Sequence, residues 1–268
     1  MIPNKKELFF RSVGLTGVYP TRLTRRQEII ELIRALRPTP TGIELIRLGP
    51  KGDGGYLVPD DLGDIGACYS PGVSDNSGFE KDCARRGLDV FLADRSVDGP
   101  AEPDPRFHFT KKFLGAATND EFMTLDDWVD TTAPNSTAEL LLQIDIEGYE
   151  YETFLAMSSR LARRFRIIVA EFHMLERMWS EPFFAFAASA LRKILQTHVC
   201  VHLHPNNVGG ALVMGGIAIP RVMEFTFLRR DRIRSQSGTL TLPHPLDSDN
   251  TGNPPLPLPR VWYRDSAN

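Results

Sequence analysis

Between Leu140 and Ile144 the chain is almost continuously apolar, and the run ends abruptly in Asp145, Glu147, Gly148 and Glu150. Such a run suits a central strand of a parallel sheet, and polar residues at its carboxyl end stand where open α/β sheets bind ligands. Similar apolar segments recur at Ala67–Ser70, Asp89–Ala93 and Arg166–Glu171, with a weaker one near Phe107–Lys111. Helical or capped stretches separate them: Ser77–Arg86 closed by Gly87, and a start signal at Thr124-Leu-Asp-Asp127. The alternation predicts right-handed βαβ units and a mainly parallel sheet.

The flanks read differently. Residues 24–37 have the period of an amphipathic helix, with Thr24 and Gln27 spaced as a capping box and Pro38 as its stop. A short strand at Ile43–Leu48 and the turn Gly52-Asp-Gly-Gly-Tyr56 follow. A long helix is expected over Glu181–Leu195, with Pro182 in its first turn. Val199–Leu203, Leu212–Ile219 and Val222–Leu228 are β-rich, with Gly215-Gly216 between, and predict an antiparallel hairpin at a sheet edge. Six prolines between Pro243 and Pro259 exclude regular helix from the last segment. The expected division is a helical extension over residues 1–42, a ligand-binding domain over 43–230, and a proline-rich tail over 231–268 packed on the domain or partly disordered.

Composition narrows the class. At 268 residues with 42% hydrophobic and 24% charged residues, the chain has the balance of a globular protein able to bury one core. No apolar run approaches the ~20 residues of a membrane span. The N-terminus lacks the apolar core of a signal peptide, which reads as cytoplasmic. Cys68, Cys83 and Cys200 are too irregularly spaced for a disulfide framework or zinc cluster and are expected as buried thiols. A net charge of −3 gives no footprint for nucleic acid, and Arg163-Arg164 and Arg229-Arg230 read as solvated ends.

Five places carry candidate chemistry. Tyr69-Ser-Pro-Gly-Val-Ser-Asp75 joins a strand to a helix with small residues where a ligand would approach the backbone, but Ser74 replaces the second glycine of a pyrophosphate loop. Asp94 follows Gly72 by 22 residues, near the offset at which an acid meets ribose hydroxyls, and Arg95 beside it suits a 2′-phosphate. Strand alternation would point Asp145 and Glu147 to one side. Glu171-Phe-His173 ends the next strand, so Asp145, Glu171 and His173 gather at neighbouring carboxyl ends, where a base or a divalent-ion site forms. The block His204-Pro-Asn-Asn-Val-Gly-Gly210 adds a histidine, and Asn206 and Asn207 offer amides to substrate hydroxyls.

Taken in order, Asp53-Gly-Gly-Tyr56, Tyr69–Asp75 with Phe79-Glu80, Thr124-Leu-Asp-Asp127, Asp145-Ile-Glu-Gly-Tyr-Glu150, Glu171-Phe-His173 and His204-Pro-Asn-Asn resemble the FkbM family of S-adenosylmethionine-dependent methyltransferases. The resemblance runs from about residue 43 to 229. It implies an α/β fold of the class I (Rossmann-like) methyltransferase type: a seven-stranded, mostly parallel sheet with a C-terminal antiparallel hairpin. It implies S-adenosyl-L-methionine as cofactor, with Gly72, Val73 and Ser74 at its amino-acid part and Asp94 at its ribose. Leu114, Gly115, Leu125 and Asp126 would flank the adenine; Phe79, Glu80 and Arg95 complete the cofactor side, and Asp145 stands between cofactor and acceptor. Tyr56, Glu147, Asn206 and Asn207 fall to the substrate.

Two departures stand out. Ser70-Pro-Gly72-Val-Ser74 lacks the acid and second glycine usual in the class I loop, and neither flank carries a motif. The expected reaction is in-line methyl transfer to a hydroxyl of a sugar or secondary metabolite, a small-molecule or glycan acceptor. A hydroxyl needs deprotonation, by His173 or His204 as base, or through a divalent metal such as magnesium held by Asp145 and Glu171. The rival reading makes Asp145-Ile-Glu147 the metal clamp of a nucleotide-sugar glycosyltransferase; another is a catalytically inactive nucleoside-binding module.

Overall fold

The computed structural model describes residues 5–133, 136–238 and 240–264, so the extreme ends of both flanking segments lie outside the described residues. Helices α1 (Lys5–Gly14) and α2 (Arg26–Ala35) precede a hairpin of β1 (Leu45–Leu48) and β2 (Tyr56–Pro59). The domain then alternates through β3 (Ile65–Pro71), α3 (Gly78–Arg85), β4 (Asp89–Ala93) and β5 (Phe107–Thr110). The short β6 (Phe113–Leu114) and β7 (Phe122–Met123) lead to α4 (Leu125–Thr132) and β8 (Glu139–Ile144). After α5 (Glu150–Ala156) and α6 (Ser159–Ala162) come β9 (Phe165–Phe172), α7 (Glu181–Leu195) and β10 (His198–Pro205). The small hairpin β11 (Ala211–Met214) and β12 (Ile217–Pro220) precedes β13 (Met223–Arg229).

Seven strands form one mixed sheet in the order β10-β13-β9-β8-β3-β4-β5. From β9 to β5 every neighbour is parallel; β13 runs antiparallel to both β9 and β10. The chain builds outwards from β3 to β5, then returns to place β8 on the other side of β3. The crevice between β3 and β8 is therefore the topological switch point, where open α/β sheets take their ligands.

The period-two alternation sorts each central strand between two cores. Leu140, Leu142 and Ile144 join the cluster beneath α2, α4, α5 and α7, whereas Leu141 joins the one under α3 and the β1–β2 hairpin. Gln143 and Asp145 continue on the hairpin side, where Gln143 Nε2 donates to the Tyr56 hydroxyl at 3.4 Å. Helix α3 closes as expected, with Gly87 at φ 90°, and Thr124 caps α4 by accepting from the Asp127 N–H at 3.1 Å. Cys68, Cys83 and Cys200 are free and buried.

Several expectations change. Thr24 forms no capping box: its hydroxyl donates instead to the Met178 carbonyl at 2.6 Å, tying the N-terminal segment to the turn before α7. The β-rich end is not one edge hairpin. Gly215-Gly216 turns a small separate hairpin, and β13 lies inside the main sheet between β10 and β9, with both its faces buried although one of them carries Glu224 and Thr226. Arg229 is no solvated strand end; it pairs with Glu139 and Asp231. In the tail the 3-10 turn Arg260–Trp262 buries Trp262 fully against Phe225, and Trp262 donates to the Ala218 carbonyl at 3.2 Å. No helix among the described residues is long and apolar enough to cross a membrane.

Candidate active site

At the switch point the end of β3 meets the end of β8. Gly72, at φ 92°, donates its N–H to the Ala93 carbonyl at 3.0 Å, and Asp145 N–H reaches the Pro71 carbonyl at 3.4 Å. The approach is so close that a Cβ on Gly72 would lie 1.6 Å from the Asp145 carbonyl oxygen. Small residues at this turn thus serve the strand-to-strand contact as well as any ligand.

A cleft of about 400 Å³ opens above this contact, lined by Gly72, Val73, Ser74, Asp94, Leu114, Asp145 and Glu147, all expected at the site. Asp94 organises its floor: one carboxylate oxygen accepts from the Val73 N–H at 3.1 Å, the other from the Ser96 N–H at 2.7 Å and hydroxyl at 2.6 Å. Ala93, Ser96 and Ile146 complete the lining together with three rings that sequence reading missed, Phe113, Phe122 and Tyr149. Phe122 stands 5.5 Å from Phe113 and 5.8 Å from Tyr149, centroid to centroid. Phe113 and Tyr149 are exposed, an arrangement that suits a flat ligand. Pairing of β6 with β7 brings Phe113 to Phe122, and Tyr149 joins them from the turn before α5, so no local pattern announces the wall.

Other expected residues stand outside the cleft wall, each with a local reason. Arg95 pairs with Glu121 at 2.9 Å at the surface. Leu125 is core, and Asp126 accepts from the Ser158 N–H at 2.7 Å, joining α4 to the start of α6. Gly115 lies against Phe122 behind the lining. Phe79 packs edge-on against Tyr56 at 5.7 Å, and Glu80 accepts from the Ser70 hydroxyl at 2.6 Å beneath the turn.

At the Asp145–Glu147 side of the cleft the carboxyl ends of β8 and β9 converge. His173 Nε2 lies 3.8 Å from Asp145 Oδ1, 3.4 Å from Glu147 Oε2 and 4.0 Å from Glu171 Oε1. Its Nδ1 is 3.2 Å from Glu150 Oε1. The strand does not continue to Glu147, however; that residue turns at φ 57° and its side chain reaches His173 from an exposed loop. Asp145, Glu171 and His173 each offer a donor atom within 4.8 Å of the others. Asp145 Oδ1 and Glu171 Oε2 are buried without a hydrogen-bond partner among the described residues, so this set of two carboxylates and one imidazole fits a divalent cation.

His204 and the two asparagines do not join His173. Glu171, Glu224 and His204 are register neighbours across β9, β13 and β10, which sets His204 about 10 Å from Glu171 at two strand spacings. It borders a second cleft, of about 630 Å³, beside the tail and lies 3.7 Å from Asp247. Asn206 donates to Glu171 at 2.8 Å, and Asn207 donates to the Thr251 and Asn253 carbonyls at 3.1 and 2.9 Å, securing the tail.

The crowding of acids shifts their titration. Asp145 is pushed up to about 7, first by burial, with His173 opposing and Glu150, Glu147 and Asp53 adding to the rise. Burial likewise drives Glu171 well above the carboxylate range, helped by Asp145 and Glu224. For His173 burial opposes the charged form, but the bond to Glu150 and the charges of Glu150, Asp145 and Glu147 prevail, and its pKa is raised.

All three raised groups favour the protonated folded state. Their stabilisation is complete below the unfolded pKa values and is lost as pH rises through the folded ones. Thermal stability is therefore expected to fall as pH climbs towards and past about 7, the value to which Asp145 is raised. Asp145→Asn should flatten that slope in melting curves recorded across pH; an unchanged slope would refute the assignment.

Residues 72–199 match the family model described as the Methyltransferase FkbM domain. No curated protein matches the chain. Three solved structures show partial likeness. A protein named as a DNA modification methyltransferase encoded within a prophage (E. coli) is 10% identical with a TM-score of 0.41, over 62% of this chain and 47% of that one. TrmN from Thermus thermophilus is 10% identical with a TM-score of 0.26, over 61% and 43%. EvdMO1 is 12% identical with a TM-score of 0.29, over 76% and 47%. The chain thus spans less than half the length of each.

Proposed function

We propose that this protein is an S-adenosylmethionine-dependent O-methyltransferase acting on a hydroxyl of a sugar or secondary metabolite. The observation that carries the reading is the cleft at the β3–β8 switch point, with Asp94 in its floor, an aromatic wall on one side and the His173 cluster on the other. It is supported by the match to the Methyltransferase FkbM domain over residues 72–199, which spans the β3 turn, Asp94, Asp145 and His173. On this reading residues 43–230 are the cofactor-binding domain, with 1–42 and 231–268 as flanking segments.

The cofactor supplies an activated methyl group, and the protein must align the acceptor and take its proton. Gly72, Val73 and Ser74 would meet the amino-acid part of the cofactor, Asp94 its ribose hydroxyls, and Phe113, Phe122 and Tyr149 its adenine. His173 would receive the acceptor proton at Nε2, the nitrogen turned towards Asp145. Alternatively, Asp145, Glu171 and His173 would hold a magnesium-like cation, whose charge acidifies a hydroxyl; His173 Nε2 would then be a ligand and not the base.

Calorimetric titration separates this reading from its rivals. S-Adenosylmethionine and S-adenosylhomocysteine are expected to bind, whereas NAD and a nucleotide sugar with manganese are not. Failure of both adenosyl ligands at millimolar concentration would sink the proposal. Asp94→Ala, which removes paired acceptors for the ribose diol, should weaken S-adenosylhomocysteine binding by about 10- to 100-fold.

A further inference from the structure

We infer that Glu150 is a positioning residue: it holds the Nδ1–H of His173 and so presents the other ring nitrogen, Nε2, bare to Asp145, Glu147 and Glu171. Glu150 is the first residue of α5, where an acid ordinarily faces solvent and the helix dipole. Here it is fully buried. Its Oε1 accepts from the N–H groups of Ile146 at 3.0 Å and Gly148 at 3.1 Å, which folds the loop after β8 back over the helix end.

The same oxygen lies 3.2 Å from His173 Nδ1. An oxygen already receiving two N–H groups carries no proton of its own, so a third hydrogen-bonding neighbour must donate. Nδ1 therefore bears the hydrogen, and a neutral ring keeps its lone pair on Nε2. That atom has carboxylate oxygens at 3.4 to 4.0 Å but no hydrogen-bond partner among the described residues. The ring is steadied from behind as well, since the Tyr151 hydroxyl donates to the His173 carbonyl at 2.6 Å.

The surrounding backbone is bent to achieve this. Glu147 and Met174, neither of them glycine, both take φ of 57°. Left-handed conformations at such residues persist where the structure around them over-determines the fold, and they cluster at functional sites. A bare Nε2 is what a base or a metal ligand needs, and a buried carboxylate on the opposite nitrogen is the usual way to fix that tautomer. The functional meaning of this dyad rests on the proposed role of His173; its geometry does not.

The test is a long-range proton–nitrogen NMR spectrum of protein labelled with nitrogen-15 histidine, recorded at a pH where the ring is neutral. His173→Asn identifies the His173 signal by its loss. Wild type and Glu150→Gln, whose amide oxygen still accepts, are expected to show the Nδ1–H tautomer. Glu150→Leu should revert towards the Nε2–H form that a free histidine side chain favours, with kcat lowered about 10- to 100-fold and largely restored in Glu150→Gln. S-Adenosylhomocysteine affinity reports that each variant is folded. An Nε2–H tautomer in the wild type overturns the inference even if Glu150→Leu fails to fold. Should His173→Ala retain full turnover while the wild type shows Nδ1–H, the proposed role of His173 falls and the positioning contact stands.

Discussion

Gly72→Ala is expected to abolish measurable adenosyl binding and to destabilise the whole domain. The added methyl group would lie 1.6 Å from the Asp145 carbonyl oxygen and 2.8 Å from its carbonyl carbon, so backbone, not a flexible side chain, must move. The φ of 92° adds a conformational cost of about 1–3 kcal/mol for a residue with a Cβ. Relief requires parting the ends of β3 and β8, the two strands that frame the cleft. A displacement there reaches Val73, whose N–H is held by Asp94, and Asp145 itself. Affinity for S-adenosylhomocysteine should fall at least about 100-fold, equivalent to about 2.7 kcal/mol, alongside a lowered denaturation midpoint. Calorimetry and chemical denaturation read the two effects separately. Binding within tenfold of wild type would show that the turn does not shape the ligand site.

His173→Ala is expected to give the opposite profile: adenosyl affinity within about twofold of wild type and kcat lowered about 10²- to 10⁴-fold, the range that positioned proton transfer supplies. The ring does not line the β3–β8 cleft, yet its Nε2 stands among Asp145, Glu147 and Glu171 beside it. Removing it should leave the methyl donor bound and the acceptor hydroxyl protonated. The measurement is transfer from labelled S-adenosylmethionine to an acceptor that wild type methylates, with ligand titration on the same preparation. Loss of cofactor binding with unchanged turnover of the bound fraction would refute the division of labour between Asp94 and His173.

His204 illustrates why histidines of similar local setting diverge. Both His173 and His204 close β-rich segments and are followed by turn residues. Insertion of β13 between β9 and β10 separates them by two strand spacings. The tail then engages His204 through Asp247, whose carboxyl is held well below its usual range, despite burial, by the bonds and charges of His202 and His204. A strand inserted out of chain order leaves no local trace in the residues it separates.

The sequence by itself determined the strand-and-helix alternation, because burial on both faces of a parallel strand demands an unbroken apolar run and its end must be marked by polar residues. Gly72, Asp94, Asp145 and His173 were legible for that reason: each sits at the carboxyl end of such a run, or one or two residues beyond it. Only the tertiary structure decided the partners across the sheet and across the loops. The aromatic wall joins Phe113 and Phe122 through strands two residues long, too short to carry a period, and takes Tyr149 from the turn before α5. Glu150 reads as an ordinary first-turn acid until β9 brings His173 to its Oε1 and the loop closes over both. Those contacts depend on distances between residues far apart in the chain, and hydrophobic patterning fixes which faces are buried but not which polar atoms meet there.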